Sequence, residues 1–477
     1  MVDVNSGRFK AFIFIFMYRY IVPLLLLGAT ALGAAEAPRL WLTTPDKSSQ
    51  LSNRSDRLVI EREVDPEIPA IVVTEKTKFQ SIDGFGFALT GGSAQHIIQM
   101  SPDKRHELLR ELFSHDADAI SLSYLRVSIG ASDLNERVFS YDDIPEGQTD
   151  EPLAHFSLSD DRGNVVPVLK EILAINPKIK ILGSPWSAPT WMKTNGKVQG
   201  GKLKTKYYSV YARYFAKYIK AMASQGITID AITVQNEPFN DGNTPSMQMF
   251  AGEQAEFIRD HLGPVFRKER IKTKILIYDH NCDAPEFPMA VLSDAKSNPF
   301  VDGSAFHLYA GKTSAMSRVH ESFPEKNIYF TEIMAVDRDG TYNIAGPVSR
   351  ILIGATRNWS RNVLIWNLAA DAQFRPHTDN GGCGMCEGAV TIEGDKVTRN
   401  LAYYVIAHAS KFVPDGSIRI SSTSTDELPN VAFRTPEGKT VLIAANPSAA
   451  DEDFQIIGAG TLVRTSLPKG AVATFVW

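Results

Sequence analysis

From about Ser81 onward, apolar and polar positions recur as one unit: a short apolar, often β-branched run, a polar or glycine-bearing stretch, then a segment with helical spacing. The eight runs are IDGFGFAL, ISLSYLRVSI, IKILGSPW, DAITVQNEP, TKILIYDHN, GSAFHLYAG, NIYFTEIM and NVLIWNLAA. Helical period is clearest in YYSVYARYFAKYIKAMASQG, where Tyr211, Tyr214, Phe215, Tyr218 and Ile219 share one face and Gly226 supplies a stop. Strands alternating with helices predict a parallel sheet, and eight repeats predict a closed (β/α)8 TIM barrel, an α/β fold over residues 77–401. The flanks, residues 58–76 and 402–477, show alternation and turns without helices, as in SIRISSTST, NVAFRTPEGKTVLIAANPS and GAVATFVW. They predict an attached β-sandwich built from both chain ends.

Composition narrows the partners. Of 477 residues, 44% are hydrophobic and 22% charged, ordinary values for a globular protein. A formal net charge of -4 with no basic stripe gives no reason to expect nucleic acid as a partner. At the N-terminus, Arg8, Lys10 and Arg19 precede or interrupt an apolar run that ends in small residues near Gly33 to Ala37. This reads as a signal peptide over residues 1–37, with Met17 as an alternative start. Pro23 and Arg19 break the run, so the expectation is export to a periplasmic or extracellular location with no stable membrane insertion after cleavage; an uncleaved anchor is the competing reading. Cys282, Cys383 and Cys386 are too few for a disulfide scaffold. CGMC reads either as a local disulfide or as two free thiols, and it lacks the further ligands of a zinc site. No metal and no cofactor are expected. Asn53 and Asn358 open glycosylation tripeptides of a kind that also occurs by chance.

In a (β/α)8 barrel the chemistry sits at the C-terminal ends of the strands. The eight ends supply Asp83, Asp133, Trp186 with Trp191, Asn236 with Glu237, His280 with Asn281, His307 with Tyr309, Glu332, and Trp366 with Asn367. Together they predict a polar cleft with aromatic walls, suited to sugar. Glu237 closes the fourth strand and Glu332 the seventh, on opposite sides of the barrel. Two facing carboxyls are the minimum for glycosidic hydrolysis: one protonates the leaving oxygen and the other attacks the anomeric carbon or activates water. Each glutamate taken singly also reads as a capping or ion-paired loop residue. Asn236 is placed to donate to a sugar 2-hydroxyl, and Pro238 sharpens the turn that presents Glu237. His307 reads as a hydrogen-bonding partner beside the nucleophile rather than a metal ligand.

The motifs VQNEP and YFTEIM, with LRVSIGASDLN, GSPWSAPTWMKTNG, FHLYAG and WNLAAD in that order, resemble the glucosylceramidase family, glycoside hydrolase family 30. The resemblance runs from about Phe79 to the C-terminus. It implies a retaining double displacement with Glu237 as general acid/base and Glu332 as nucleophile, and carboxyls about 5 to 5.5 Å apart. It also implies that Asp133, Trp186, Asn236 and Trp366 hold the sugar, with Tyr309 near the nucleophile. On this reading Glu237 starts protonated, its pKa raised by burial and by the charge of Glu332. Leu308, between His307 and Tyr309, and the loop QFRPHTDNGGCGMCEGAVTI resemble bacterial branches that include endo-β-1,6-glucanases. The expected substrate is a β-linked glucoside, glucan or glycolipid, cleaved by a glucosylceramidase-like β-glucosidase; an endo-β-1,6-glucanase or β-xylosidase-like relative is the alternative. A non-catalytic carbohydrate-binding protein is the rival from another class.

Overall fold

The computed structural model describes residues 37–477 apart from 338–339, 380–381 and 459. The expected signal peptide lies outside the described residues. Pro38–Trp477 forms one compact unit. Eight parallel strands close a barrel: β1 (Gly84–Ala88), β2 (Tyr124–Ser128), β3 (Lys180–Ser184), β4 (Ala231–Thr233), β5 (Lys274–Cys282), β6 (Val301–Gly311), β7 (Asn327–Glu332) and β8 (Ser360–Ile365). Each pairs with its successor, and β8 returns to β1 with Asn362 opposite Gly84 and Ile365 opposite Phe87. These are the eight runs picked out by hydrophobic pattern.

Side chains on a strand alternate between faces, so the barrel interior is built in layers two residues apart. The middle layer is apolar: Tyr124, Leu182, Ala231, Leu276, Ala305, Tyr329 and Leu364 form one buried cluster. Strand β1 offers Gly86 there, where a Cβ atom would stand 1.8 Å from the Tyr124 carbonyl oxygen. Two residues further along the strands the interior turns polar, with Arg126, Ser184, Thr233, His307 and Thr331 all buried. At the opposite end, Asp83 pairs with Arg361 at 2.7 Å and Lys180 at 3.3 Å. Asp83 therefore closes the barrel floor. Its expected place at the mouth is corrected, because it precedes β1 rather than following it.

The helix Tyr208–Ser224 buries Tyr211, Tyr214, Phe215, Tyr218 and Ile219 as its spacing predicts, and Gly226 follows at a φ of +80°. The stretch from Ala402, read as free of helix, instead opens with the helix Leu401–Ser410. All its residues are buried, so it shows no polar face and no amphipathic period.

Both chain ends meet in a ten-stranded sheet. Its N-terminal share begins at Arg39–Thr43, earlier than the alternation suggests, and includes Ala70–Ser81. Arg39–Thr43 pairs antiparallel with Val472–Val476, which pairs in turn with Thr440–Ala445. Strand alternation divides the apolar residues. Leu442, Ala444, Ala473 and Phe475 pack inside the sandwich, whereas Val441, Ile443, Val472 and Val476 join the barrel's core. Phe85 of β1 meets Phe433 of the sheet edge-on, with ring centres 6.5 Å apart. Among the described residues no helix is long and apolar enough to cross a membrane.

Candidate active site

The polar layer is organised by a residue the sequence reading passed over. Asp279, fully buried on β5, accepts hydrogen bonds from Thr331 (2.6 Å), Thr233 (2.7 Å), Arg126 (2.8 Å) and Ser184 (3.2 Å). His307 Nε2 lies 3.0 Å from Oδ1, the oxygen that also takes the Thr331 hydroxyl, whereas the other three donors meet Oδ2. Burial pushes the Asp279 carboxyl up, but Arg126, His307 and Thr331 outweigh it and hold the group well below the usual carboxylate range. Arg126, at the centre of β2, is the second omission. Its guanidinium also donates to Ser184 (3.1 Å), Asn236 Oδ1 (2.7 Å) and Glu332 Oε2, and lies 4.8 Å from the Trp186 ring.

Above this layer stand the two carboxyls. Glu332, the last residue of β7, takes the Arg126 guanidinium on Oε2 and the Tyr309 hydroxyl on Oε1 at 3.0 Å. Glu237 follows β4 in a turn bound to β5 by its N–H, which donates to the Asp279 carbonyl at 2.9 Å. Its φ of +45° lies in the left-handed region, a strained place for a residue that precedes proline. Asn240 helps hold that geometry, donating from Nδ2 to Glu237 Oε2 at 2.7 Å. Both glutamates are buried to 6% exposure.

His307 joins the pair. Its Nδ1 lies 3.1 Å from Glu237 Oε1 and 3.9 Å from Glu332 Oε1, so both carboxyls stand within reach of one nitrogen. Burial opposes a charge on this imidazole, but Glu332, Asp279 and Glu237 hold its pKa up at about 9. The expectation that Glu237 has a raised pKa is corrected here. Burial does raise it, but His280 and His307, 3.7 and 3.1 Å away, outweigh burial and bring it below its ordinary value. Glu332 is the member that burial keeps above the ordinary value, opposed by His307 and Arg126. The proton expected on Glu237 thus rests on His307, whose Nδ1 lies 3.1 Å from Glu237 Oε1. Glu237, His280 and His307 also bring three donor atoms within 4.8 Å of one another, the spacing of a metal site. With its pKa held up, His307 meets Glu237 across that triangle as a proton donor.

A cavity of about 410 Å³ opens over the carboxyls, lined by Asp133, Trp186, Glu237, Tyr309, Glu332 and Trp366 among others. The Trp186 and Trp366 rings lie 5.3 Å apart at 31°. Asp133 is buried, and burial with the charges of Glu332 and Glu237 pushes its carboxyl up to about 8. Asn236 and His307 stand just behind the lining, tied to Arg126 and Glu237. The expected site residues therefore converge. Trp191 does not: its Nε1 donates to the Asp142 carbonyl (3.1 Å) and its ring packs edge-on to Tyr207. Cys383 and Cys386 form a disulfide, resolving the open choice at CGMC, and it lines the same cavity beside Met334. A larger cleft of about 900 Å³, around Glu111, Arg399 and Tyr403, contains none of these groups.

Residues 82–413 match the model of the glycosyl hydrolase family 30 TIM-barrel domain, and residues 416–475 match that of the family 30 beta sandwich domain. The chain is 34% identical to an endo-1,6-beta-D-glucanase of Trichoderma harzianum, over 83% of this chain and 84% of that one. It is 28% identical to the lysosomal acid glucosylceramidase of Mus musculus, over 85% of this chain and 83% of that one. A solved endo-beta1,6-glucanase structure superposes with a TM-score of 0.86 at 31% identity, covering 92% of this chain and 99% of that one.

Proposed function

The chain belongs to glycosyl hydrolase family 30, and from that premise we propose that it cleaves β-glucosidic bonds with retention, through Glu332 as nucleophile and Glu237 as acid/base. One observation carries the assignment: the two Oε1 atoms lie 3.9 and 3.1 Å from the same nitrogen of His307. Those distances hold the two Oε1 atoms within about 7 Å of each other, which supports the short separation of a retaining pair, about 5 to 5.5 Å, over most of the range of about 6.5 to 9.5 Å that admits an attacking water.

In the first step a Glu332 oxygen bonds to the anomeric carbon as the bond from that carbon to the leaving oxygen breaks, and Glu237 delivers a proton to that oxygen. In the second, water attacks the anomeric carbon, its proton goes to Glu237 and the bond to Glu332 breaks. His307 and Arg126 favour the ionised form of Glu332 against its burial, and the Tyr309 hydroxyl donates to Oε1. Once Glu332 is esterified its charge is gone, and Glu237 acts as base. Asp133, Asn236, Trp186 and Trp366 are the groups we assign to the sugar. The disulfide supports an oxidising compartment, periplasmic or extracellular.

Treatment with a 2-deoxy-2-fluoro β-glucoside should label Glu332, read as a modified peptide by mass spectrometry. Glu332→Gln should remove nearly all turnover. Glu237→Gln should lose about 10²- to 10⁴-fold on substrates with poor leaving groups but still be glycosylated by activated ones. A label elsewhere, or equal loss on both substrate types, contradicts the assignment.

A further inference from the structure

Two residues beyond Glu237 the chain carries Phe239, 41% exposed, and the residue before the helix Ala251–Phe257 is Phe250, 43% exposed. Their ring centres lie 6.0 Å apart at 44°. Both rings are anchored. Phe239 packs edge-on against Phe287 at 5.4 Å and against His280 at 5.8 Å. The Lys202 ammonium lies 4.0 Å from the Phe250 ring centre, Lys202 pairs with Glu253 at 2.9 Å, and Glu253 accepts from the Phe250 N–H at 2.7 Å. Two adjacent anchored aromatic rings left half exposed at the mouth of a cavity indicate a surface that something else covers.

Position decides what that is. Phe239 lines the same cavity as Glu237 and stands two residues beyond it in the chain, with its ring against His280, which faces Glu237. A proton donor must stand beside the leaving oxygen, so the group that departs lies on the Phe239 side. The rim there is polar: Asn240, Asn243 and Asn281 line the cavity with Phe239, and Asp241 is exposed next to it. A hexopyranose has an apolar C–H face that covers an aromatic ring and equatorial hydroxyls that reach amides at its edge. A long acyl chain needs a continuous apolar groove, and these amides interrupt one.

Resting on Glu237 as the proton donor, we propose that Phe239, backed by Phe250, is the platform for the leaving-group sugar, so that the preferred substrates carry a second hexopyranose rather than a lipid beyond the scissile oxygen. The test compares three substrates: β-glucosyl fluoride, which has no leaving sugar, a β-1,6-linked glucose oligosaccharide, and glucosylceramide in detergent micelles. For Phe239→Ala, the ratio of kcat/KM on the oligosaccharide to that on the fluoride should fall about tenfold, matching about 1.4 kcal/mol of lost contact. Phe239→Trp should restore the ratio, and Phe250→Ala should lower it less. Equal loss on oligosaccharide and fluoride overturns the proposal in favour of a ring that merely props Glu237. An unchanged ratio, or loss confined to glucosylceramide, also overturns it. Failure of the unaltered protein to cleave the fluoride overturns the β-glucosidase reading itself, and the platform with it.

Discussion

His307 uses its two ring nitrogens against two different carboxyls, one a buried hub and the other the proposed acid. That gives the pH dependence a definite sign. Turnover needs Glu332 ionised and one proton on the His307–Glu237 pair. As pH falls, Glu332 takes up a proton above the ordinary carboxylate range, and the rate falls. As pH rises through about 9, the pair loses its proton, and the rate falls again. We expect a bell-shaped kcat/KM with its alkaline limb near pH 9. His307→Gln should move that limb to lower pH, because Glu237 then holds the proton without the imidazole; an unmoved limb sinks the account. At this scale the sequence showed Glu237 and Glu332 following their strands, with Trp186, Tyr309 and Trp366 beside them, but misplaced Asp83 and Trp191. It did not show Asp279 or Arg126 as site residues, because each sits within a strand run. A charge inside the apolar run YLRVS was the available signal, but its partners come from β3, β5 and β7 and from the turn after β4.

Strands supply the layers, and the layers decide which side chains can meet. Tyr124 and Arg126 of β2 face the same interior two residues apart, one in the apolar layer and one in the polar layer. The apolar layer has no room on β1. Gly86→Ala should lower the thermal unfolding midpoint strongly or prevent soluble folding, since its Cβ would stand 1.8 Å from the Tyr124 carbonyl. Gly163→Ala, where nothing lies within 4 Å of the added carbon, should stay within about 0.5 kcal/mol of the parent. Equal effects of the two would contradict this packing. The element the pattern missed, Leu401–Ser410, has the complementary explanation: burial on every side removes the polar positions from which a helical period is read.

On the scale of the whole molecule, His408 joins barrel to sandwich. From the helix Leu401–Ser410 it places Nδ1 2.8 Å from the Thr474 hydroxyl and Nε2 2.8 Å from the Thr43 hydroxyl, touching strands from both chain ends. Burial pushes its pKa down to about 3. The folded state therefore holds this histidine neutral while the unfolded chain, with an ordinary value near 6.5, takes up a proton. Its stabilising share is complete above that value and is lost as pH falls from about 6.5 toward about 3. We expect stability to drop by up to about 1.4 kcal/mol per pH unit across this window from His408. In His408→Gln the drop should be shallower, as followed by denaturant unfolding at several pH values; parallel curves would remove the histidine from the explanation.

The sequence by itself determined the barrel and its eight strand runs, and put Glu237 and Glu332 at the ends of the fourth and seventh, because apolar runs and loop chemistry are local properties written in consecutive residues. Only the tertiary structure decided that Asp279 and Arg126 form the buried hub, that His307 sits between the carboxyls, and that Glu237 loses its expected raised pKa to neighbouring imidazoles. Those outcomes depend on distances between residues up to 206 positions apart, and electrostatics follows distance rather than order along the chain.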